Sequence, residues 1–233
     1  MAYPSTFLDI QNEVISKLRL SPTDDLPDVK DWINQTYAEV ASQTRCFQTD
    51  GTSTMTAGED SYTMPVPVLH IDLLTVTPSG ANVWFPLKEC ALIEILNMRA
   101  LGQGTTGPPI KYSLVGMNQL EVWPPARSGD VMTFWYSYLP TALSGDTDVP
   151  GIPEPYATNV LTYGACVKAA ELKRDLAVLP NYQGQYNQAL SAFQVYLNRK
   201  AGSYPAAFPT WTGGRRWPFS DPSTDVPWYG WGA

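Results

Sequence analysis

The residues of this sequence whose type best suits catalysis are four carboxylates, Asp72, Glu89, Glu94 and Glu121. A glycosidase needs two carboxyl groups about 5–9 Å apart, one as a general acid and the other as a nucleophile or base. The spacing of these four selects no pair, and carboxylates are usually solvated on the surface. Glycoside hydrolysis by Glu89 or Glu94 together with Asp72 therefore stays an alternative function.

Other catalytic centres lack the residues they need. His70 is the single histidine, which excludes a His-rich metal site and leaves a His-based triad no other candidate. Cys46, Cys90 and Cys166 are odd in number and far apart, so they predict reduced packing residues and no disulfide or zinc framework. Residues 102–104 (Gly-Gln-Gly) lack the Lys-Ser/Thr of a phosphate loop. We expect no cofactor and no enzymatic activity.

Three tryptophans in the middle of the chain suggest a second alternative. Trp84, Trp123 and Trp135 lie in predicted β-rich segments. Flat aromatic rings exposed on one sheet face form stacking platforms. A carbohydrate-binding β module built on these three residues is therefore the other alternative function.

Charge and hydropathy exclude further classes. The 233 residues carry a formal net charge of -7, and 16% of them are charged. Wrapping nucleic acid needs clustered Lys and Arg, and the pair Arg215–Arg216 is too short for such a patch. We expect no signal peptide and no membrane span, because no basic segment precedes an apolar one at the N-terminus and no run of about 18 apolar residues occurs.

Four amphipathic helices are predicted, a pair on each side of the β-rich segments. Thr6 is the predicted N-cap of the first, with Asp9 completing a capping box, and Asp25 that of the second, with Pro27 in the first turn. Apolar residues at steps of three and four within 148–201 predict the other pair. Six aromatic residues are expected to pack in this helical base or between subunits: Trp32, Tyr37, Tyr156, Tyr163, Tyr186 and Phe193.

Between the helix pairs, short segments rich in strand-forming residues are separated by turn residues. The predicted strands cover residues 52–56, 61–66, 69–77, 82–86, 110–115, 119–123 and 131–138. The turn at 57–60 joins the first two, the last three form a meander, and helical spacing covers 87–98. The sequence therefore predicts an α+β fold: a four-helix base, an inserted antiparallel β-rich subdomain and an extended C-terminal tail. The predicted boundaries are 1–46, 47–147, 148–201 and 202–233.

The predicted tail is rich in both proline and aromatic residues. Its five prolines exclude a long helix or a central strand. Disordered linkers are poor in aromatics, whereas Trp and Tyr dominate binding hot spots. We therefore predict that the tail docks on another subunit rather than wrapping its own domain. The predicted interface residues are Tyr204, Phe208, Trp211, Arg215, Arg216, Trp217, Phe219, Trp228, Tyr229 and Trp231.

The order of these elements resembles the head-to-tail adaptor proteins of tailed bacteriophages, also called connector, head-completion or tail tubular protein A-like proteins. The resemblance covers about residues 5 to 200 and is one of pattern and order, without a catalytic signature. The segments that carry it are 7–18, 26–37, 62–65, 70–72, 86–89, 112–116, 120–124, 140–143, 153–156, 164–165 and 168–170.

The resemblance implies a structural protein of the virion neck, made in the host cytoplasm. It implies a ring of about twelve copies between the portal and the tail, closed by contacts between identical chains. The expected partners are the portal protein, neighbouring copies and a downstream tail or nozzle protein. Phage DNA would pass through the lumen without specific binding, and the C-terminal tail would dock on the portal. On this reading the glycosidase alternative becomes a virion-associated enzyme that cleaves the cell wall.

Overall fold

The computed structural model describes residues 5–21, 23, 25–102, 106–175 and 177–203, so the ten tail residues predicted to form an interface lie outside the described part. The helices are α1 (Phe7–Leu18), α2 (Leu26–Thr44), α3 (Leu92–Ala100), α4 (Tyr156–Leu172) and α5 (Leu179–Ser203). The strands are β1 (Gln48–Thr54), β2 (Ser61–Thr63), β3 (Val68–Thr77), β4 (Phe85–Pro86), β5 (Lys88–Glu89), β6 (Lys111–Val115), β7 (Gln119–Trp123) and β8 (Val131–Tyr138). The predicted α+β class is confirmed.

The chain divides into two compact units, Met1–Gln194 and Val195–Ala233. All elements except the end of α5 belong to the first unit. In the second unit, the described residues continue α5 to Ser203.

Local sequence determines where α1 begins. The Thr6 hydroxyl accepts the Asp9 N–H, and the Asp9 carboxylate accepts the Thr6 N–H, as the predicted capping box requires. The N–H groups of Phe7 and Leu8 donate to the backbone carbonyls of Asp148 and Asp146 at 2.7 and 3.1 Å. These bonds use donors that a helix N-terminus otherwise leaves unpaired, and they tie α1 to the segment that leads into α4.

The start of α2 differs from the prediction. Pro27 lies in the first turn, as expected, but the Asp25 side chain makes no capping hydrogen bond. Its carboxylate instead accepts the Ser21 N–H at 2.9 Å and the Lys173 ammonium at 3.2 Å. Asp25 is therefore the N-cap residue of α2, as predicted, but its side chain does not cap the helix, because the Ser21 N–H and the Lys173 ammonium occupy its carboxylate.

Helix α4 is the central element of the helical base and contacts both α1 and α2. Ten of its residues are buried, among them Gly164. A Cβ atom at Gly164 would collide with the Thr36 methyl of α2 and lie 3.0 Å from Tyr186 Cε2 of α5. The absence of a side chain at this position lets the three helices approach closely.

Two four-stranded sheets form the β-rich part, in the orders β1-β8-β3-β4 and β2-β7-β6-β5. Every strand pair is antiparallel except β5 with β6. One apolar core joins the two sheets: on β8, Met132, Phe134 and Tyr136 are buried and face residues such as Leu120 and Val122 of β7. The period of two along β8 therefore buries one face, while β1 and β3 cover both of its edges.

Two predicted strand pairings are wrong. The strands on either side of the turn at 57–60 do not form a hairpin, since β1 pairs with β8 and β2 with β7. The predicted meander also breaks, because β8 leaves the β6–β7 hairpin for the other sheet. The connection after β1 instead bonds to the connection before β8, with the Met55 N–H donating to the Asp130 carbonyl at 2.8 Å. Both connections cross between the sheets, which buries Met55 in the shared core.

The internal helix starts later than predicted. Residues 88–89 form β5, whose pairing continues where the Cys90 N–H donates to the Tyr112 carbonyl at 2.9 Å. Helix α3 then runs over Leu92–Ala100. Residues 88–89 therefore pair with β6 at the edge of the second sheet, although their spacing alone favours a helix.

Candidate interaction surface

Three of the four candidate catalytic carboxylates lie near a basic side chain. Glu121 Oε2 lies 2.7 Å from the Arg99 guanidinium, and Glu94 Oε2 lies 3.6 Å from Lys111 Nζ. His70 Nε2 lies 3.9 Å from Asp72 Oδ1 at a half-exposed position. Glu89 is exposed on the edge strand β5. Two of the four carboxylates are therefore held by cations that α3 and β6 supply.

Glu121 can be nearly buried because its carboxylate is paired with Arg99. Arg99 makes further contacts in the same place. Its guanidinium also lies 3.1 Å from an Asp60 carboxylate oxygen and donates to the backbone carbonyl of Val122. A buried carboxylate is stable only when it is paired and hydrogen-bonded. The arrangement attaches α3 to β7 and gives Glu121 a structural role.

The cysteines show no activated thiol. Burial raises the pKa of Cys166 to about 12, and it also raises the pKa of Cys46 and of Cys90. A nucleophilic or metal-binding cysteine needs a lowered pKa. Among the described residues, no group of three or more His, Cys, Asp or Glu side chains is placed to hold a metal ion, and no helix combines the length and apolar character needed to cross a membrane.

The three candidate stacking tryptophans do not share a sheet. Trp135 lies on β8 of the first sheet, and Trp84 precedes β4 at the edge of that sheet. Trp123 ends β7 of the second sheet, and its indole nitrogen is buried. A single platform of three parallel rings is not formed by this arrangement.

The aromatic residues expected in the base or between subunits are mostly buried within the chain itself. Trp32, Tyr37, Tyr186 and Phe193 are buried, while Tyr156 and Tyr163 are partly exposed. The rings of Tyr156 and Phe193 are 5.6 Å apart and join α4 to α5. Most of this set is thus used to pack the helices of one chain together.

The segment between β8 and α4 is fixed to α2 by polar side chains. The amide of Asn34 donates to the Leu143 carbonyl at 2.9 Å and accepts the Leu143 N–H at 2.8 Å. The Tyr37 hydroxyl accepts the Gly151 N–H at 3.0 Å. The Asn34 bonds connect the β-rich insertion to the helical base, and the Tyr37 bond fixes the segment that leads into α4. Spacing in the sequence gave no signal for them, because the partners are more than 100 positions apart.

Large apolar side chains are exposed along one edge of the sandwich, and Trp84 is the one among them that the sequence marked as a candidate binding residue. Val83, Trp84 and Phe85 are 59%, 52% and 51% exposed. One residue separates β4 from β5, so the edges of both sheets lie together here. The signal in the sequence was three bulky residues in succession. A strand that is covered on one face buries only alternate positions, so at least one of three successive residues must be exposed. We call this set, with Ile93, Leu96 and Ile110, the edge patch.

Comparison with known families gives one match over most of the chain. The model of the SU10 adaptor protein family matches residues 5–209. A comparison with curated proteins returned no match. Among solved structures, the chain is similar to one described as the neck of an empty GTA particle computed with C6 symmetry. That likeness has 16% identity and a TM-score of 0.27, and it covers 71% of this chain and 82% of the other. Values this low are insufficient to assign a function.

Proposed function

The chain belongs to the SU10 adaptor protein family, and we propose that it is a structural protein of the phage neck, a head-to-tail adaptor that forms a ring between the portal and the tail. The single observation that carries this proposal is the family match, which extends from residue 5 through all four helices of the base. The resemblance noted in the sequence points to the same family.

The proposed organisation assigns one role to each part. The helical base, 1–46 and 148–201, positions the chain in the ring. The β-rich insertion, 47–147, faces outward or toward the next tail component, and residues 202–233 dock on the portal. Attachment of Leu143 of the insertion to Asn34 of α2 supports a base and an insertion that move as one body. In this proposal the protein acts by binding and catalyses no reaction.

The charge of the chain suits the proposed DNA channel. A formal net charge of -7 per copy disfavours adhesion of a polyanion to the lumen. At physiological salt this repulsion acts over about 8 Å, so it operates between DNA and the channel wall and not at longer range. DNA is thus a passing partner that forms no specific contacts.

The test is mass photometry of portal rings from the genome that encodes this chain. The rings are mixed with the full-length protein or with a shortened protein that ends at Ala201. We expect many copies of the full-length chain on each portal ring and a loss of binding on truncation. Binding of both chains would show that the helical base carries the portal contact. Failure of the full-length chain to bind would contradict the adaptor function.

A further inference from the structure

We propose that the exposed edge of β1 binds residues 210–217 of a neighbouring copy as an added β-strand; this inference rests on the proposed ring. It divides the tail that the proposed function assigns to the portal, so that residues 218–233 remain for the portal contact. Three observations carry it: outward-facing backbone groups along β1, a groove beside them, and the charges on the two surfaces.

Strand β1 lies at an edge of the first sheet, and all seven of its residues pair with β8 without a register shift. The Tyr138 N–H donates to the Phe47 carbonyl at 3.0 Å. In the same register, the Met55 N–H donates to the Asp130 carbonyl at 2.8 Å. Antiparallel partners exchange hydrogen bonds at every second position, so the odd-numbered residues of β1 bond to β8. The backbone N–H and C=O groups that face away from the sheet therefore belong to Gln48, Asp50, Thr52 and Thr54.

Strand β1 lacks the lysine, proline or bulge that discourages strand addition at natural edges. The other edge strands of the two sheets, β2, β4 and β5, are only two or three residues long. The Asp50 carbonyl accepts the Thr49 hydroxyl at 3.4 Å, which is a long and weak hydrogen bond. The outward groups of β1 thus suit an extended polypeptide, whose backbone continues the ladder.

A groove of about 350 Å³ lies beside this edge, between β1 and β2. Binding pockets usually have volumes of about 300–1,000 Å³. A Cβ atom at Gly51 would lie 2.6 Å from Phe134 Cε2, so the missing side chain lets the Phe134 ring approach β1. The groove has an apolar floor and hydroxyl-bearing walls, formed by Met132 and Phe134 and by Ser53, Thr54, Ser61 and Thr63. An added strand with a large apolar side chain on its inner face would fill this groove.

Residues 210–217 are the segment of the tail that meets these requirements. They form its longest stretch without proline, and Pro209 and Pro218 flank them. Proline cannot donate to a ladder, so it is confined to strand ends and unpaired edges. Eight residues suffice to cover the seven of β1. Alternate residues of an extended segment share a face, which would place Trp211, Arg215 and Trp217 on one face and Arg216 on the other.

Charge favours the same pairing. The elements that border the groove carry five carboxylates and two cations: Asp50, Glu59, Asp60, Glu121 and Asp130 against Arg99 and Arg127. Their formal charge is therefore -3, and Arg99 is already bound to Asp60 and Glu121. Gly51 faces the core, so Asp50 lies on the outer face of β1, whereas Glu59 lines the groove. The two arginines of an added strand, one on each face, would each meet a carboxylate.

A strand given by one copy and received by the next suits the proposed ring. Residues 204–209 allow a reach of about 20 Å from the end of α5 at Ser203. The tail and the β1 edge are different surfaces, so each copy gives one strand and receives one. Repetition of such a contact closes a ring.

The direct test uses full-length chain with the photo-crosslinking amino acid p-benzoylphenylalanine in place of Thr52, prepared in equal amounts with light and heavy nitrogen. The sample is irradiated alone and with the portal rings, and cross-linked peptides are identified by mass spectrometry. The matched control carries the cross-linker at Glu89, which is exposed on the edge strand β5 on the opposite side of the sandwich. We expect peptides that join position 52 of one copy to residues 210–217 of another, and few such peptides from position 89.

Every outcome decides the inference. Adducts between light and heavy chains from position 52 to residues 210–217 support it, with or without portal binding. Their absence in both samples overturns it, as do adducts from position 52 to its own chain or to the portal alone. If the chain decorates the portal without such adducts, the adaptor function stands and the strand contact fails. If copies cross-link in this way but never join the portal, the strand contact stands and the adaptor function fails.

Two sets of variants test the backbone and charge contributions separately. Thr52→Pro removes one outward N–H and leaves the bonds to β8 in place, whereas Thr52→Ala keeps that N–H. Thr52→Pro should weaken self-association at least about tenfold, as loss of a hydrogen bond does; Thr52→Ala should not.

Arg215→Glu with Arg216→Glu should weaken association at low salt and less at high salt, because screening removes the repulsion. This tail variant leaves the contacts of the described residues in place, so it decides the inference if Thr52→Pro does not fold. Unchanged sedimentation of the tail variant at low salt, with unchanged circular dichroism, would overturn the inference.

Discussion

Replacement of Gly164 by alanine should destabilise the helical base, although alanine is the better helix former. The new Cβ would collide with the Thr36 methyl and press on the Tyr186 ring. Overpacking a close-packed interior costs about 1–3 kcal/mol, while the change from glycine to alanine in a helix contributes about 0.5–1 kcal/mol of stability. We expect a net loss of about 1 kcal/mol, and at most about 2.5 kcal/mol, in the free energy of unfolding.

The chain offers a matched control and a rescue for this prediction. Gly184 lies in α5 with no atom near its Cβ position, so Gly184→Ala should stabilise by about 0.5–1 kcal/mol. Thr36→Ser removes the colliding methyl and keeps the hydroxyl, which donates to the Trp32 carbonyl at 2.9 Å. In that background the cost of Gly164→Ala should fall by at least about 1 kcal/mol, a coupling that a double-mutant cycle measures.

The assay is urea unfolding followed by far-ultraviolet circular dichroism, with midpoints and slopes compared across the variants. Equal slopes allow the free energies to be compared directly. The packing argument would be refuted if Gly164→Ala were as stable as Gly184→Ala, or if the effects of Gly164→Ala and Thr36→Ser simply added.

Three further predictions concern the attachment of the insertion, pH and thiol chemistry. Asn34→Ala removes both hydrogen bonds to the Leu143 backbone, which should cost about 1–3 kcal/mol in urea unfolding; an unchanged midpoint would contradict this. Backbone N–H donors lower the pKa of Asp148, so its contribution to stability is present above the unfolded pKa and is lost as the pH falls below about 4. Asp148→Asn should therefore reduce the fall in melting temperature between about pH 5 and 3. The same dependence of melting temperature on pH in the variant and the natural chain would contradict this prediction. Because burial raises the pKa of Cys166 to about 12, iodoacetamide at pH 8 should modify it only after unfolding, which intact-mass measurements in native buffer and in urea check; rapid native labelling would be inconsistent with this burial.

Local patterns in the sequence predicted the helices well, because caps and apolar spacing act within a few residues. The Thr6–Asp9 capping box formed as predicted. Asp25 has equally suitable chemistry, but Lys173 and the Ser21 N–H lie close enough to take its carboxylate. Such competition depends on contacts between residues that are distant in the sequence.

Strand pairing was less predictable than strand location. The run of bulky residues at 131–138 correctly indicated β8, yet nothing in the sequence shows that β1 and β3, rather than β7, are its neighbours. The choice depends on burying both sheets over one core, which involves Met55 and Met132 together. Apart from Trp84, the residues of the edge patch were missed for a related reason, since apolar residues predict burial and only the sheet order reveals which of them remain exposed.

The most direct test of the adaptor function is gold labelling of intact particles of the phage that encodes this chain. A gold-labelled antibody against the β-rich insertion would be imaged by electron microscopy on intact particles and on particles whose tails have been removed. The proposed function predicts gold at the joint between head and tail, and retention on heads that keep their portal. Gold on the capsid surface or at the tail tip, or absence of the chain from purified particles, would contradict it.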